Sequence, residues 1–153
     1  MERMEKVRLC VEAHFSAAMS QEMKSQMTEH VLGVSQFCGI LAMKRGQPVE
    51  LAMTAGLLHD LYTCATLESR EHAEKGALMA RELLDGLQLF TQVEIDTITT
   101  AIEHHSSKGT RHSEFDEVLK DADVLQHSLQ PPLLTVAEHE KARYASLKVE
   151  LGL

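Results

Sequence analysis

Apolar residues recur at intervals of three and four positions along most of the chain, as they do on the buried face of an amphipathic helix. No segment shows the strict alternation of apolar and polar residues that marks a half-buried strand, and no internal repeat divides the chain. The pattern therefore predicts an all-α protein, with residues 1–153 forming a single domain built as a bundle of about six to seven helices. The predicted helices span about residues 3–19, 21–45, 48–59, 70–84, 92–105, 114–130 and 136–151.

Residues that favour helix ends support these boundaries. The segment 91–94 has the Thr-x-x-Glu pattern of a capping box, in which each side chain satisfies a backbone N–H of the other residue. A second such pattern at 135–138 predicts the start of the last helix, and Ser69 is a suitable N-cap for the helix that follows it. Residues 63–69 are predicted to form a loop, and the pair Pro131-Pro132 is predicted to stop the preceding helix.

Composition narrows the classes of partner and the cellular compartment. The chain has 44% hydrophobic and 25% charged residues, which is typical of a folded domain, and a formal net charge of -8. The negative charge argues against binding to nucleic acid or to anionic membranes, since both attract basic surfaces. The N-terminus is charged rather than apolar, so we expect neither a signal peptide nor a membrane span. The three cysteines lack metal-ligand spacing, which favours reduced thiols in a cytoplasmic protein.

The most informative dipeptide is His59-Asp60, at the end of the apolar run 55–58. Neighbouring helical residues point about 100° apart, so both side chains cannot face water if the leucines around them are covered. A buried carboxylate requires an ionic partner, a hydrogen-bond donor or a metal ion. Taken alone, such a pair is more often a helix-end aspartate beside a core histidine than part of a functional site.

Further polar residues lie on or beside the apolar stripes of the other predicted helices. With the central dipeptide, the set is His30, His59, Asp60, His72, His104, His105 and one of Asp121 and Asp123. Helical geometry does not choose between the two aspartates, because they flank the same stripe. A single histidine on an apolar stripe is usually structural, but so many on separate helices indicate a metal site assembled by the fold. Imidazole and carboxylate ligands suit Fe, Mn, Zn, Co or Ni, and we expect one or two such ions.

Other catalytic chemistries find less support in the sequence. No serine lies in a nucleophile elbow, and there is no glycine-rich phosphate loop. Cys64 closely follows the central dipeptide, but a thiol nucleophile needs a lowered pKa, which a sequence does not reveal.

Three segments resemble the motifs of the HD superfamily of metal-dependent phosphohydrolases. They are Glu29-His30-Val31-Leu32-Gly33-Val34, Ala55-Gly56-Leu57-Leu58-His59-Asp60 and Ala122-Asp123-Val124-Leu125, and the similarity extends over about residues 28–127. The resemblance implies an all-helical HD-type bundle and metal-dependent hydrolysis of a phosphate ester. It also implies that Asp123, which follows an alanine as in the family pattern, is a metal ligand rather than Asp121.

His72 and the pair His104-His105 resemble the additional ligands of the two-metal branch of this superfamily. The resemblance implies that Asp60 bridges two ions. One ion would be held by His30, His59 and Asp123, and the other by His72, His104 and His105. The Gly-Tyr-Pro signature of the cyclic-dinucleotide phosphodiesterases is absent after His105, which argues against that substrate. The lysine that often follows the His-Asp pair in the family is also absent, since Leu61-Tyr62-Thr63 stands there.

The implied activity is hydrolysis of a nucleotide or small phosphorylated metabolite by metal-activated hydroxide, with Asp60 as the catalytic residue that orients it. Lys108 and Arg111, in the loop after the histidine pair, are candidates for binding the substrate phosphate, with solvated loop charges as the alternative. Two other functions stay open: a diiron oxygenase similar to myo-inositol oxygenase, and a non-catalytic signalling or ligand-binding module.

Overall fold

The protein is described by a computed structural model that defines residues 2–129 and 135–153. Within these residues the chain forms eight α-helices and one short 3₁₀ turn and contains no strand, which confirms the all-α prediction. The helices are α1 (Glu2–Ala13), α2 (Gln21–Arg45), α3 (Val49–Leu58), α4 (Leu61–Thr66), α5 (His72–Leu87), α6 (Gln92–His104), α7 (Glu114–Leu129) and α8 (Lys141–Leu151). None of the helices in the described part of the chain has the length and apolar character needed to cross a bilayer.

The capping box predicted at the start of α6 is confirmed. The backbone N–H of Thr91 donates to Glu94 Oε2 at 2.8 Å, and the backbone N–H of Glu94 donates to Thr91 Oγ1 at 3.3 Å. The similar pattern at 135–138 does not form a capping box. Glu138 instead accepts from Lys141 Nζ at 2.5 Å within a 3₁₀ turn, and the last helix begins only at Lys141. The predicted stop at Pro131-Pro132 lies outside the described residues.

The predicted first helix is too long, because the chain turns after Ala13. Phe15 packs against the core from within this turn, which is why the apolar spacing continued past the end of the helix. The backbone N–H of Ser16 donates to the carbonyl oxygen of Cys64 at 2.9 Å and holds the turn against α4.

The segment predicted as a loop contains α4, which is too short to show a periodic pattern. Leu61 and Cys64 are buried one turn apart, and this pair anchors α4 to the core. Ser69 does not cap α5 with its side chain. Glu71, with a left-handed φ of 53°, is the N-cap residue, and the carbonyl oxygen of Ser69 accepts from the backbone N–H of His72 at 3.3 Å.

Close packing of α3 on α2 places the two central helices of the site. A Cβ atom at Gly56 would lie 2.7 Å from Ser35 Cα and 2.9 Å from Ser35 N, so the backbones of the two helices meet here. The absence of a side chain at Gly56 on this face of α3 therefore allows the two helices to approach closely. The contact brings the helix that carries His30 against the helix that ends at His59.

A buried ionic network joins α7 to α2 and α8. Lys120 is fully buried, and its Nζ donates to Glu117 Oε1 at 2.9 Å. Arg143 of α8 donates to Glu117 Oε2 and to Asp121 Oδ1, both at 2.7 Å. Arg45 of α2 forms an ion pair with Asp121 Oδ2 at 2.7 Å. Each of these buried charges is matched, which is the condition for tolerating charge in a protein interior.

Replacing Gly56 by alanine should destabilise the fold. The added methyl group would meet the backbone of α2, and we expect a loss of about 1–3 kcal/mol in the free energy of unfolding. Gly86 of α5 is the matched control, because no atom lies within 4 Å of the position of its Cβ. There, Gly→Ala should stabilise the helix by about 0.5–1 kcal/mol. Urea unfolding of both variants measures the contrast, and equal stabilisation by the two changes would contradict the proposed backbone contact.

The ionic network should make stability sensitive to acid. Burial alone would raise the pKa of Glu117, but donation from the backbone N–H of His112 and from Lys120 and Arg143 lowers it to about 2. The folded pKa lies below that of the unfolded chain. The contribution of this carboxylate is therefore complete above about pH 4.5 and is lost as the pH falls towards 2.

Glu117→Gln should remove this part of the acid sensitivity and should cost about 3–5 kcal/mol at pH 7, because Lys120 is left buried without its counter-charge. Chemical unfolding between pH 2 and pH 7 gives both quantities. Glu114→Gln, an exposed position on the same helix, is the control. Parallel stability curves for wild type and Glu117→Gln would contradict the assigned role.

Candidate metal centre

Six of the residues predicted from the sequence converge on one region of the bundle. His30 lies on α2, His59 and Asp60 follow α3, His72 begins α5, His105 follows α6, and Asp123 lies on α7. The helical conformation is interrupted between α3 and α4 at Asp60, which has φ −107° and ψ 20°. Because of this break, two neighbouring side chains that would point apart in a continuous helix meet, with His59 Nε2 3.4 Å from Asp60 Oδ2.

The first group of donor atoms surrounds the Nε2 atoms of His30 and His59, which are 3.1 Å apart. Asp60 Oδ2 lies 3.4 Å from each of these nitrogens. Asp123 Oδ1 lies 3.8 Å from each of them. Two imidazoles and two carboxylates from three parts of the chain thus face a common point.

The second group lies on the other side of Asp60. His72 Nε2 and His105 Nε2 are 3.1 Å apart, and Asp60 Oδ1 lies 3.6 Å from the first and 3.7 Å from the second. The hydroxyl oxygen of Ser106 is also 3.1 Å from His72 Nε2. The two oxygens of Asp60 therefore face different histidine pairs, as a carboxylate that bridges two ions would.

The Nδ1 atom of each of these four histidines contacts an oxygen acceptor. The pairs are His30 with Gln126 Oε1 at 2.7 Å, His59 with Gly56 O at 2.8 Å, His72 with Ser69 O at 2.9 Å, and His105 with Ile102 O at 2.6 Å. An oxygen of this kind accepts only, so Nδ1 carries the proton and a neutral ring presents a lone pair at Nε2. In each pair the lone pairs oppose each other unless a cation, either a proton or a metal ion, lies between them.

The donor set fits a divalent transition-metal ion. Two ligands held about 2.1 Å from an ion at a right angle are about 3.0 Å apart, close to the spacing of the Nε2 atoms. Asp123 Oδ1 is buried and has no hydrogen-bond partner among the described residues, although a buried carboxylate oxygen normally has one. An ion at the first group would satisfy this oxygen together with the Nε2 atoms of His30 and His59.

Comparisons with known proteins identify the family and the fold. The sequence model of the HD domain matches residues 27–128. The chain belongs to the HD-domain family. This HD chain is similar to the crystal structure of a predicted HD superfamily hydrolase from an uncultured Thermotogales bacterium, with a TM-score of 0.64 and 21% sequence identity over 97% of this chain and 88% of that chain. At this level of identity the similarity shows the fold alone. Comparison with curated protein sequences finds no significant match.

The surroundings of His59 and Asp60 shift the pKa values of the candidate metal ligands. Burial lowers the pKa of His59, and it lowers the pKa of His105 to about 3, so both rings are neutral at pH 7. Burial also opposes a charge on His30, but the carboxylates of Asp60 and Asp123 raise its pKa overall. For Asp60, burial is outweighed by the surrounding imidazoles, which hold the pKa of the carboxyl well below its usual range. Asp60 is therefore ionised at neutral pH.

We call the cluster of His30, His59, Asp60, His72, His105 and Asp123 the HD centre. The structure does not bring His104 into it. Its Nδ1 bonds Asp116 Oδ2 at 2.9 Å, and its ring stacks on His112 with the centroids 3.8 Å apart. Because His104 precedes His105 in the helix, its side chain points about 100° away from the inward-facing ring. Only the second histidine of the pair joins a potential metal group among the described residues.

The two candidate phosphate-binding residues lie in different environments. Arg111 is 70% exposed, and its guanidinium group pairs with Glu114 at 2.6 Å, as a solvated loop charge does. Lys108 is only 7% exposed, and its Nζ contacts Asp123 Oδ2 at 2.5 Å. Burial alone would raise the pKa of Asp123, but the ammonium group of Lys108 holds it low. Lys108 therefore acts on the second carboxylate of the centre from inside the protein.

His127 is a residue of this region that the sequence analysis missed. Its Nε2 lies 3.5 Å from Asp123 Oδ1, and its ring stacks on that of His30 with centroids 5.1 Å apart and an interplanar angle of 10°. His30, Asp123 and His127 form a further group that could hold an ion. The signal that could have found it is its position four residues after Asp123, on the same face of α7.

The adjacent pair His104-His105 allows a sharp test of the metal centre. We expect the wild-type chain to bind two equivalents of Mn²⁺ and His105→Ala to lose one of them, because the second group then keeps a single imidazole. His104→Ala should keep both ions. Equilibrium dialysis with elemental analysis gives the stoichiometry, and circular dichroism checks that both variants fold. Equal loss of metal from the two variants would contradict the assignment of His105 alone.

Proposed function

We propose that this protein is a metal-dependent phosphohydrolase that cleaves the phosphate ester of a nucleotide or small phosphorylated metabolite. The observation that carries the proposal is the position of Asp60, whose two oxygens each face a pair of histidine Nε2 atoms. Two ions that share such a carboxylate could clamp both sides of a phosphoryl group during displacement. Membership of the HD-domain family supports the same reaction class, as does the similarity in fold to a predicted HD superfamily hydrolase.

The proposed ligands form two sets that share Asp60. His30, His59 and Asp123 would complete one set, and His72 and His105 the other. Bound divalent ions would supply Lewis acidity and make water nucleophilic at neutral pH. Asp60 would orient the attacking oxygen through its negative charge, and its lowered pKa makes it a poor proton acceptor.

Two further side chains would support catalysis. Lys108 keeps one oxygen of Asp123 occupied and leaves the other, Oδ1, directed at the Nε2 atoms of the first pair. His127 lies beside the same carboxylate and is partly exposed, so its ring could donate a hydrogen bond to the substrate phosphate. A thiol nucleophile is not needed, and burial raises the pKa of Cys64 to about 12, which disfavours the thiolate.

The partner and compartment assignments stay predictions from composition. They are the absence of nucleic-acid and membrane partners, which follows from the net charge of -8, and a cytoplasmic location.

The direct test is a phosphate-release screen with the chain loaded in turn with Mn²⁺, Fe²⁺, Co²⁺, Ni²⁺ and Zn²⁺. Asp60→Asn should lower kcat by at least about 10²-fold, because it removes the charge shared by both ligand sets. His104→Ala, which lies outside the sets, should retain wild-type turnover. Undiminished turnover by Asp60→Asn would contradict the mechanism.

Oxygen consumption would be measured beside phosphate release, and two outcomes of this pair of measurements would replace the proposal. Oxygen consumption by the iron-loaded chain without phosphate release would indicate the diiron oxygenase. Binding of metal with neither phosphate release nor oxygen consumption across the panel would indicate a non-catalytic module.

A further inference from the structure

A cleft of about 670 Å³ opens beside the proposed ligand set of His30, His59, Asp60 and Asp123, between the start of α2 and α4. Its volume is that of a small-molecule binding site. Its lining includes His30, Asp60 and His127 of the metal centre. Because His30, Asp60 and His127 form one part of the wall, a phosphoryl group held at the metal centre would leave the rest of its molecule in this cleft.

The remaining wall is dominated by flexible apolar side chains. Met23 and Met27 lie one turn apart on α2, Met19 precedes that helix, and Leu67 follows α4. Met23 is 44% exposed and Leu67 is 42% exposed, so these large apolar groups meet solvent at the cleft. Methionine adapts its shape to an apolar ligand, and exposed apolar groups beside a polar site favour an occupant that covers them.

Outside the metal centre and its histidines, the described lining of the cleft has an acidic group and no basic side chain. Among the described residues that line it there is no lysine or arginine, and the charged side chains are those of Glu29 and Asp60. Lys108, which pairs with Asp123, is buried and is not among the residues that line the cleft. A substrate with further phosphate or carboxylate groups would therefore place them near Glu29 without a counter-charge.

We propose that the substrate is a phosphate monoester whose other substituent is uncharged and largely apolar, and that Met23 and Met27 determine this preference. The inference rests on the proposed function and narrows its substrate class, because it disfavours polyphosphates. In the reaction, water adds to phosphorus, the bond from phosphorus to the ester oxygen breaks, and the products are inorganic phosphate and the alcohol, which takes up one proton.

Binding can be tested without turnover by using non-hydrolysable ligands. The Mn²⁺-loaded chain would be titrated calorimetrically with methylphosphonate, phenylphosphonate and methylenediphosphonate. We expect phenylphosphonate to bind at least about tenfold more tightly than methylphosphonate, since its ring would cover the methionines. Methylenediphosphonate, which adds charge and no apolar surface, should bind more weakly than phenylphosphonate. Equal affinities, or tightest binding of methylenediphosphonate, would overturn the inference.

A matched pair of methionine variants tests the location. Met23→Lys introduces a cation into the cleft and should reduce the preference for phenylphosphonate over methylenediphosphonate at least about fivefold. Met43→Lys adds the same charge to the same helix at a position that is 66% exposed and does not line the cleft, and it should leave the preference unchanged. Identical effects of the two substitutions would show that the cleft is not where the ligand binds.

Hydrolysis of phenyl phosphate, glycerol phosphate and pyrophosphate separates failure of this inference from failure of the proposed function. Fastest release from pyrophosphate would overturn the inference and leave the phosphohydrolase proposal standing. Preferential binding of phenylphosphonate with no release from any ester would support the cleft assignment and overturn the hydrolytic function.

Discussion

The metal centre depends on hydrogen bonds that fix the histidine rings through Nδ1. In three of the four rings, the acceptor is the carbonyl oxygen three residues earlier: Gly56 for His59, Ser69 for His72 and Ile102 for His105. The carbonyls of Gly56 and Ile102 belong to the last turns of α3 and α6, and that of Ile102 also accepts from the backbone N–H of His105 at 3.2 Å. The Nδ1–H group of the ring donates to the carbonyl oxygen, and this hydrogen bond directs Nε2 towards the centre. Hydrogen bonds of this kind orient metal ligands before an ion binds.

Gly56 connects this orientation to the packing of the core. Its carbonyl oxygen accepts from His59 Nδ1, and its lack of a side chain allows the backbone of Ser35 to approach. The hydrogen bond sets the direction of the His59 ring, and the approach of Ser35 sets the separation of α2 from α3. The distance of 3.1 Å between the Nε2 atoms of His30 and His59 depends on both. The ligand geometry is thus a property of the helix interface rather than of a flexible loop.

The sequence predicted those site residues that lie on the apolar stripes of long helices or at their ends. His30 and His105 are of this kind, because the periodicity that buries the core also directs them inward, whereas Asp123 was preferred to Asp121 only through the resemblance to the HD superfamily. The sequence did not distinguish His104 from His105, since the contact with Asp116 that holds the His104 ring depends on how α6 packs on α7. Side chains on the loop at 106–112 have no periodic constraint, so the burial of Lys108 could only be seen in the folded chain.

The two aspartates of α7 show how the fold resolves an ambiguity that periodicity leaves open. Residues two apart in a helix point about 200° apart, so Asp121 and Asp123 face opposite sides of α7. Both are buried, and each therefore needs compensating charge. Asp121 receives it from Arg45 and Arg143, which occupy both of its oxygens. Lys108 compensates Asp123 at one oxygen only, so the other has no hydrogen-bond partner among the described residues and faces the imidazoles. The difference between the structural carboxylate and the candidate metal ligand here is the number of oxygens that protein cations leave free.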